Sequence, residues 1–345
     1  MKLLDLFIPI LLSLVVSVIL FPIGIHLLKK WNVVDHPNFR KFHKSPVPTL
    51  GGVLIFLSVV FGYLILSPGI TNWPFWVGIT AILILGIVDD LLDIKPVIKL
   101  GFQFLNFAFL VIQGDFLVEW EVLFGFVGLP FMLNQLLTII FFVFIVNAFN
   151  VIDGADGVGG TVSLFFLVVV AYIFYSSLET QYLEIALFLL GAIIGFLFYN
   201  WAPAKIYMGD SGSNLLGLCC ACFMVVILMN TQSSAQTRLE IVNPFSTLLS
   251  AFSFPIFDFV RVIVLRSIKR KPLFIADKLH INSLLMRKGW SHYKIAGSVA
   301  IFTGVMFCIS QVLSVYFVDW SGLLSLLVIG IVVHFAFVKW VESKR

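Results

Sequence analysis

Five short polar segments interrupt an otherwise apolar chain, and their residue types are those that handle phosphate and metal ions. The first is Asp89-Asp90-Leu91-Leu92-Asp93, with Lys95 and Lys99 just beyond it. Adjacent carboxylates repel, so two of them at a membrane edge call for a cation or a substrate to offset the charge. The second, Asn147-Ala148-Phe149-Asn150-Val151-Ile152-Asp153-Gly154-Ala155-Asp156-Gly157-Val158-Gly159-Gly160, combines amide and carboxylate oxygens with glycines. Hard oxygen donors suit magnesium, and glycine lets backbone N–H groups face an anion at a helix start. It is not an EF-hand, because the twelfth position from Asp153 is Leu164 and not Glu, and no GxxxxGK[ST] loop occurs anywhere. The third segment, Tyr207-Met208-Gly209-Asp210-Ser211-Gly212-Ser213-Asn214, opens an apolar run with an Asp among small residues. A helix cap alone would explain that Asp equally well. The fourth, Arg40-Lys41-Phe42-His43-Lys44-Ser45-Pro46 to Gly51-Gly52, is basic and then held in shape by Pro and Gly, which suits a close approach to phosphate. A basic loop that only sets topology has the same look. The fifth runs from Asp258 through Arg261, Arg266, Lys269, Arg270, Lys271, Asp277, Lys278 and His280 to Asn282 and offers many positive donors to a diphosphate or to anionic lipid.

These segments can work together only if the rest of the chain brings them to one side. Hydrophobic residues make up 60% of the 345 positions and charged residues 12%, about half the charge of a soluble domain. The apolar residues fall into eleven runs of membrane-spanning length, near 4–28, 49–66, 73–88, 97–112, 131–149, 160–176, 184–200, 213–230, 243–265, 293–316 and 321–340. Backbone inside lipid must pair within its own segment, so the expectation is an all-α, polytopic membrane protein of about eleven transmembrane helices in one domain, 1–345. The first run continues to Leu28 and reads as a span, not a cleaved signal. With the N-terminus outside and the C-terminus inside, 20 of the 22 Lys and Arg fall on the inner side, leaving Lys2 and Arg238 outside. All five polar segments then share the cytoplasmic face. That face is net positive and attracts nucleotides and acidic lipids, whereas nothing calls for nucleic acid. Cys219, Cys220, Cys222 and Cys308 lie in the apolar runs and read as apolar packing. Carboxylates, bases and glycines on one face make a site for phosphoryl transfer. A prenyltransferase would need a second Asp-rich motif where this chain is rich in Asn and Gly. A transporter would hold its polar groups near the midplane, away from the inner helix ends.

With DDxxD, NAFNxxDGxDG and MGDSGS in this order, the chain resembles the polyprenyl-phosphate N-acetylhexosamine-1-phosphate transferases, the bacterial glycosyltransferase family 4. The likeness extends from about Val34 to His292 and is strongest to the branch that makes undecaprenyl-diphospho-N-acetylglucosamine. The resemblance implies a bacterial inner-membrane enzyme that moves N-acetylhexosamine 1-phosphate from a UDP-sugar to undecaprenyl phosphate. It implies Mg2+, with Mn2+ as a substitute, as cofactor, contact with membrane lipids, and leaves room for a homodimer. It also implies roles: Asp89 and Asp90 as catalytic acids, and Asp210 with Asn150 as metal ligands. His43, Lys44, Asp93, Lys99, Asn147, Asp153, Asp156, Arg266 and His280 would bind substrate. The phospho-N-acetylmuramoyl-pentapeptide transferases are the neighbouring branch. The chain departs from the usual pattern at Ala155, where a bulkier apolar residue is common. It departs again at Ala276-Asp277-Lys278-Leu279-His280-Ile281-Asn282-Ser283, which keeps only the first His of a Pro-Asp-x-x-His-Ile-His-His motif.

Overall fold

The computed structural model describes residues 3–35, 46–66, 72–125, 128–177, 179–233, 243–270, 272, 279–317 and 320–343. Apolar runs that must satisfy their backbone without water become helices, and fourteen are present among the described residues. In chain order they are α1 (Leu3–Lys30), α2 (Gly51–Leu66), α3 (Trp73–Leu92), α4 (Pro96–Gln113), α5 (Trp120–Phe124), α6 (Phe131–Ile152), α7 (Val158–Ser177), α8 (Thr180–Asn200), α9 (Gly209–Ser233), α10 (Pro244–Ala251), α11 (Ser253–Ile268), α12 (Ile281–Arg287), α13 (His292–Tyr316) and α14 (Trp320–Ser343). Between α1 and α2, β1 (Val34–Asp35) pairs antiparallel with β2 (Val47–Pro48), Val34 opposite Pro48.

Among the described residues nine helices are long and apolar enough to cross a membrane: α1, α3, α4, α6, α7, α8, α9, α13 and α14. The run at 243–265 is continuous in hydropathy but not in structure. α10 and α11 meet at 78°, and counting them as one broken span makes ten. The break falls at Phe252 (φ −114°, ψ 18°), which leaves helical geometry while its N–H closes onto the Leu248 carbonyl; Asn243 caps the other end of α10, accepting from the Ser246 N–H at 3.1 Å. α2, in the run at 49–66, has only 16 residues and falls short of the length required of a span. The expected eleven therefore resolve into nine crossing helices, one bent pair and one short apolar helix.

α9 is the hub of the fold. It packs against α2, α3, α6, α7 and α10, and 94% of its apolar window is buried. Glycine makes two of these contacts close enough. A Cβ at Gly52 in α2 would strike the backbone of Ser211 and Gly212, and one at Gly86 in α3 would strike Asp210 and Ser211. Cys219, Cys220 and Cys222 are buried free thiols in this hub, as apolar packing predicts, whereas Cys308 on α13 is exposed. Because neighbouring helices run in opposite senses, the C-terminal ends of α3 and α6 meet the N-terminal ends of α4 and α9. The DDxxD, NAFNxxDGxDG and MGDSGS segments gather at that end.

Candidate active site

The centre of the polar end is Lys99, one turn into α4. Its Nζ lies 2.7 Å from Asp89 Oδ2 and also bonds Asp210 Oδ1, so one ammonium bridges two acids from different helices. Lys99 and Asp89 are largely enclosed, while the Asp210 side chain remains 35% exposed and is the open member of the trio. Asn150, near the end of α6, donates through Nδ2 to Asp210 Oδ1 at 2.6 Å and to Ser213 Oγ at 2.7 Å. A cation thus offsets the repulsion between Asp89 and Asp210, two acids that the packing of α3 against α9 brings together.

The acids of the DDxxD segment separate into three jobs. Asp89 accepts from the Ile94 N–H at 3.0 Å through Oδ1, closing the α3–α4 corner, and gives its other oxygen to Lys99. Asp90 faces α9 instead. Its Oδ1 accepts from the Asp210 N–H at 2.7 Å and its Oδ2 from the Ser211 N–H at 3.0 Å. Both oxygens of Asp90 are thus spent on the unsatisfied amides of a helix N-terminus, where negative charge is also favoured by the helix dipole. Asp93 is the exposed C-cap of α3 at φ 50°, and its side chain joins neither acid. Gly209 completes the turn: its φ of +72° is left-handed, and a Cβ there would meet Thr49 Oγ1 at 2.7 Å. The Gly51-Gly52 pair, which suited a phosphate approach in the sequence, serves this same turn. Gly51 and Gly52 donate their N–H groups to the Tyr207 and Met208 carbonyls, both at 3.0 Å.

Asn147 lies a turn below Asn150 and donates to Gln103 Oε1 at 2.8 Å; Gln103 Nε2 reaches Asn214 Oδ1 at 3.4 Å, and Asn214 donates to the Asp210 carbonyl at 2.7 Å. Gln103 and Asn214 are wholly buried. Gln103 did not stand out in sequence, since a single amide inside an apolar run carries no motif, and Asn214, which closes the third polar segment, had no role assigned to it. The signal that would have found them is helical spacing: Gln103 follows Lys99 by four residues and Asn214 follows Asp210 by four, one turn deeper on the same face.

Beyond α6 the NAFNxxDGxDG segment turns into α7. Asp153 stands against Gly159, and its carboxyl is held well above the usual range by burial and by the charges of Asp210, Asp156 and Asp90. Asp156 accepts from the Ala204 N–H at 3.1 Å, and its own N–H donates to His292 Nδ1 at 3.0 Å. Asn200 locks this turn to the loop before α9, accepting from the Gly157 N–H at 2.8 Å and donating to the Ile206 carbonyl at 2.9 Å. Tyr207, in that loop, has its hydroxyl pKa raised by burial and by the nearby charges of Asp156 and Asp35. His292 and Asn200 were not anticipated from sequence.

Of the remaining candidates, Arg266 is buried in the last turn of α11, and His280 meets Asp258, with Nδ1 2.9 Å from Asp258 Oδ2. His43 and Lys44 lie outside the described residues, as does most of the basic stretch before His280. Among the described residues no three His, Cys, Asp or Glu side chains converge as a metal cage. What the site offers a metal is the exposed Asp210 carboxylate. Asn150 presents its amide nitrogen to Asp210, so its oxygen becomes a ligand only when that amide turns over.

Comparison with known proteins adds a family to this geometry. The model of the family described as "Glycosyl transferase family 4" matches residues 72–228, a stretch that contains Asp89, Asp90, Lys99, Asn150 and Asp210. A protein of Bacillus subtilis named probable undecaprenyl-phosphate N-acetylglucosaminyl 1-phosphate transferase is 32% identical over 335 residues, covering 94% of this chain and 88% of that protein. A decaprenyl-phosphate N-acetylglucosaminephosphotransferase of Mycobacterium tuberculosis is 29% identical over 81% of this chain and 75% of its own length. An undecaprenyl-phosphate alpha-N-acetylglucosaminyl 1-phosphate transferase of Escherichia coli is 28% identical over 76% and 71%. Near full-length similarity, a membrane-helical fold and the acids of the shared motifs gathered around one lysine lead to one conclusion: this chain belongs to glycosyl transferase family 4.

Proposed function

We propose that this chain transfers N-acetylglucosamine 1-phosphate from UDP-N-acetylglucosamine to undecaprenyl phosphate and releases UMP, on the cytoplasmic face of a bacterial inner membrane. The observation that carries the reading is Lys99 between Asp89 and Asp210 at the meeting of four helix ends. The names of the relatives supply the sugar and the lipid. In the reaction an oxygen of the lipid phosphate attacks the β-phosphorus of the donor. The bond from that phosphorus to the bridging oxygen breaks, and UMP leaves with the electron pair. A phosphate anion is already a nucleophile, so positioning and charge stabilisation carry the rate. Lys99 turns its charge to the diphosphate, and Asp89 takes the proton of a lipid phosphate that arrives singly protonated. Asp90 keeps Asp210 in place through the α9 backbone.

Asp210 fits Mg2+ in chemistry. Mg2+ takes hard oxygen ligands and is commonly held by one or two carboxylates, with substrate phosphates and water filling the remaining positions. When bound, it neutralises diphosphate charge and eases departure of UMP. Mn2+ meets the same donor set.

The test is purified protein with undecaprenyl phosphate and a panel of UDP-sugars, read as UMP release. UDP-N-acetylglucosamine is the expected donor, with activity lost to a chelator and restored by Mg2+ or Mn2+. Asp210→Asn should abolish turnover while the protein still elutes as a folded species. Silence with every UDP-N-acetylhexosamine would overturn the reaction. Preference for the galacto sugar would move only the sugar.

A further inference from the structure

A second buried polar cluster lies away from Lys99, where α11, α12 and α14 meet. Asp258 and Arg261, one turn apart on α11, are 0% and 2% exposed and form an ion pair of 2.8 Å. Together they hold three consecutive residues at the start of α12. Arg261 donates to the Leu279 carbonyl at 2.6 Å, Asp258 Oδ2 lies 2.9 Å from His280 Nδ1, and Asp258 Oδ1 accepts from the Ile281 N–H at 3.2 Å. The next residue is anchored from the other side: Asn282 Nδ2 donates to the Ile152 carbonyl at 2.6 Å, immediately before Asp153. His334 of α14 closes the cluster with Nε2 3.6 Å from Asp258 Oδ1, beyond hydrogen-bonding range, and its ring is flanked by Phe254 and Phe302.

A buried carboxylate–guanidinium pair is a poor way to add stability, because desolvation of both charges offsets their attraction and apolar side chains would serve as well. What this pair does well is aim. An acceptor on Nδ1 fixes the tautomer and orientation of an imidazole and leaves Nε2 for another partner. Here Nδ1 of His280 is engaged by Asp258, and the residue, though buried, keeps 8% of its surface exposed.

We infer that Asp258 and Arg261 are positioning residues that clamp Leu279, His280 and Ile281 so that His280 presents Nε2 to the bound nucleotide-sugar, an inference that rests on the function proposed above. Neither residue touches substrate; both act through His280.

The test compares the clamp with and without its target. Asp258→Asn alone would strand a buried Arg261, so the working variant is the paired Asp258→Asn/Arg261→Gln, which removes both charges and keeps polar shape. It is made in the native background and in His280→Ala. Each protein is read by UMP release and by the dissociation constant for UDP-N-acetylglucosamine, which remains measurable in an inactive enzyme. The expected result is a loss of roughly tenfold or more in the native background and less than about twofold in His280→Ala, since residues acting through one group are not additive. Equal losses in both backgrounds, or no loss in either, would overturn the clamp. If the paired variant does not fold, Arg261→Lys carries the same comparison, because the shorter side chain does not bring its charge to the place where Arg261 Nη2 meets both Asp258 and the Leu279 carbonyl. A native protein that is inactive and binds no UDP-N-acetylglucosamine counts against the functional reading, not against the clamp.

Discussion

Replacing Asp90 by Asn tests whether the second acid of the DDxxD segment acts as chemistry or as scaffold. The structure shows each carboxylate oxygen accepting one backbone N–H of the first turn of α9, at 2.7 and 3.0 Å. Asn keeps one acceptor and turns an NH2 toward the other amide. One hydrogen bond to a charged group is lost, about 1.5–3 kcal/mol, and one buried N–H is left facing a donor. The total is about 2–4 kcal/mol. Asp210 is the first residue of that turn to be held by Asp90, so most of this falls on the placement of the Asp210 carboxylate. At about 1.4 kcal/mol per decade the expected loss in turnover is roughly 30- to 1,000-fold. The assay is UMP release by Asp90→Asn, Asp210→Asn and the double variant. If Asp90 works through Asp210, the double variant is no worse than Asp210→Asn. Multiplying losses would show that Asp90 has a job of its own, and near-native turnover of Asp90→Asn would refute the capping argument altogether.

Lys99→Met should leave Asp89 and Asp210 facing each other without a cation and reduce turnover by roughly 100-fold or more, with Lys99→Arg recovering part of it; steady-state UMP release decides, and native rates for Lys99→Met would remove the lysine from the site. Gly86→Ala should cost about 1–3 kcal/mol, because the added methyl meets the backbone of Asp210 and Ser211 and α3 must move off α9. A thermal melt in detergent that matches the unmodified protein would show that the contact yields more easily than its geometry implies.

The membrane-helical character was legible because lipid leaves the backbone few alternatives, and the acids, Asn150 and Asp210 stood out because the segments that carry them alternate with apolar runs so as to share one face. The division of labour between Asp89 and Asp90 was not. Neighbours in sequence are about 100° apart on a helix, so one faced Lys99 and the other faced the amides of α9, and only packing decides which. The bend at Phe252 was hidden because hydropathy averages over it, while it lies in one set of dihedrals. Gln103, Asn200 and His292 were missed because each is a lone polar residue whose meaning lies in a partner far away in sequence.

α9 is a span that lipid scarcely touches, with the candidate metal-binding Asp210 at its mouth. A segment leaving the ribosome cannot rest in such a place until the place exists. Of its five packing partners, α2, α3, α6 and α7 are synthesised before it and only α10 after. The seat for α9 is therefore built ahead of its occupant. When α9 arrives, the acid that caps its first turn and the lysine that holds its aspartate are already in the membrane. In order of synthesis, α9 brings the candidate metal-binding Asp210 to helices already made.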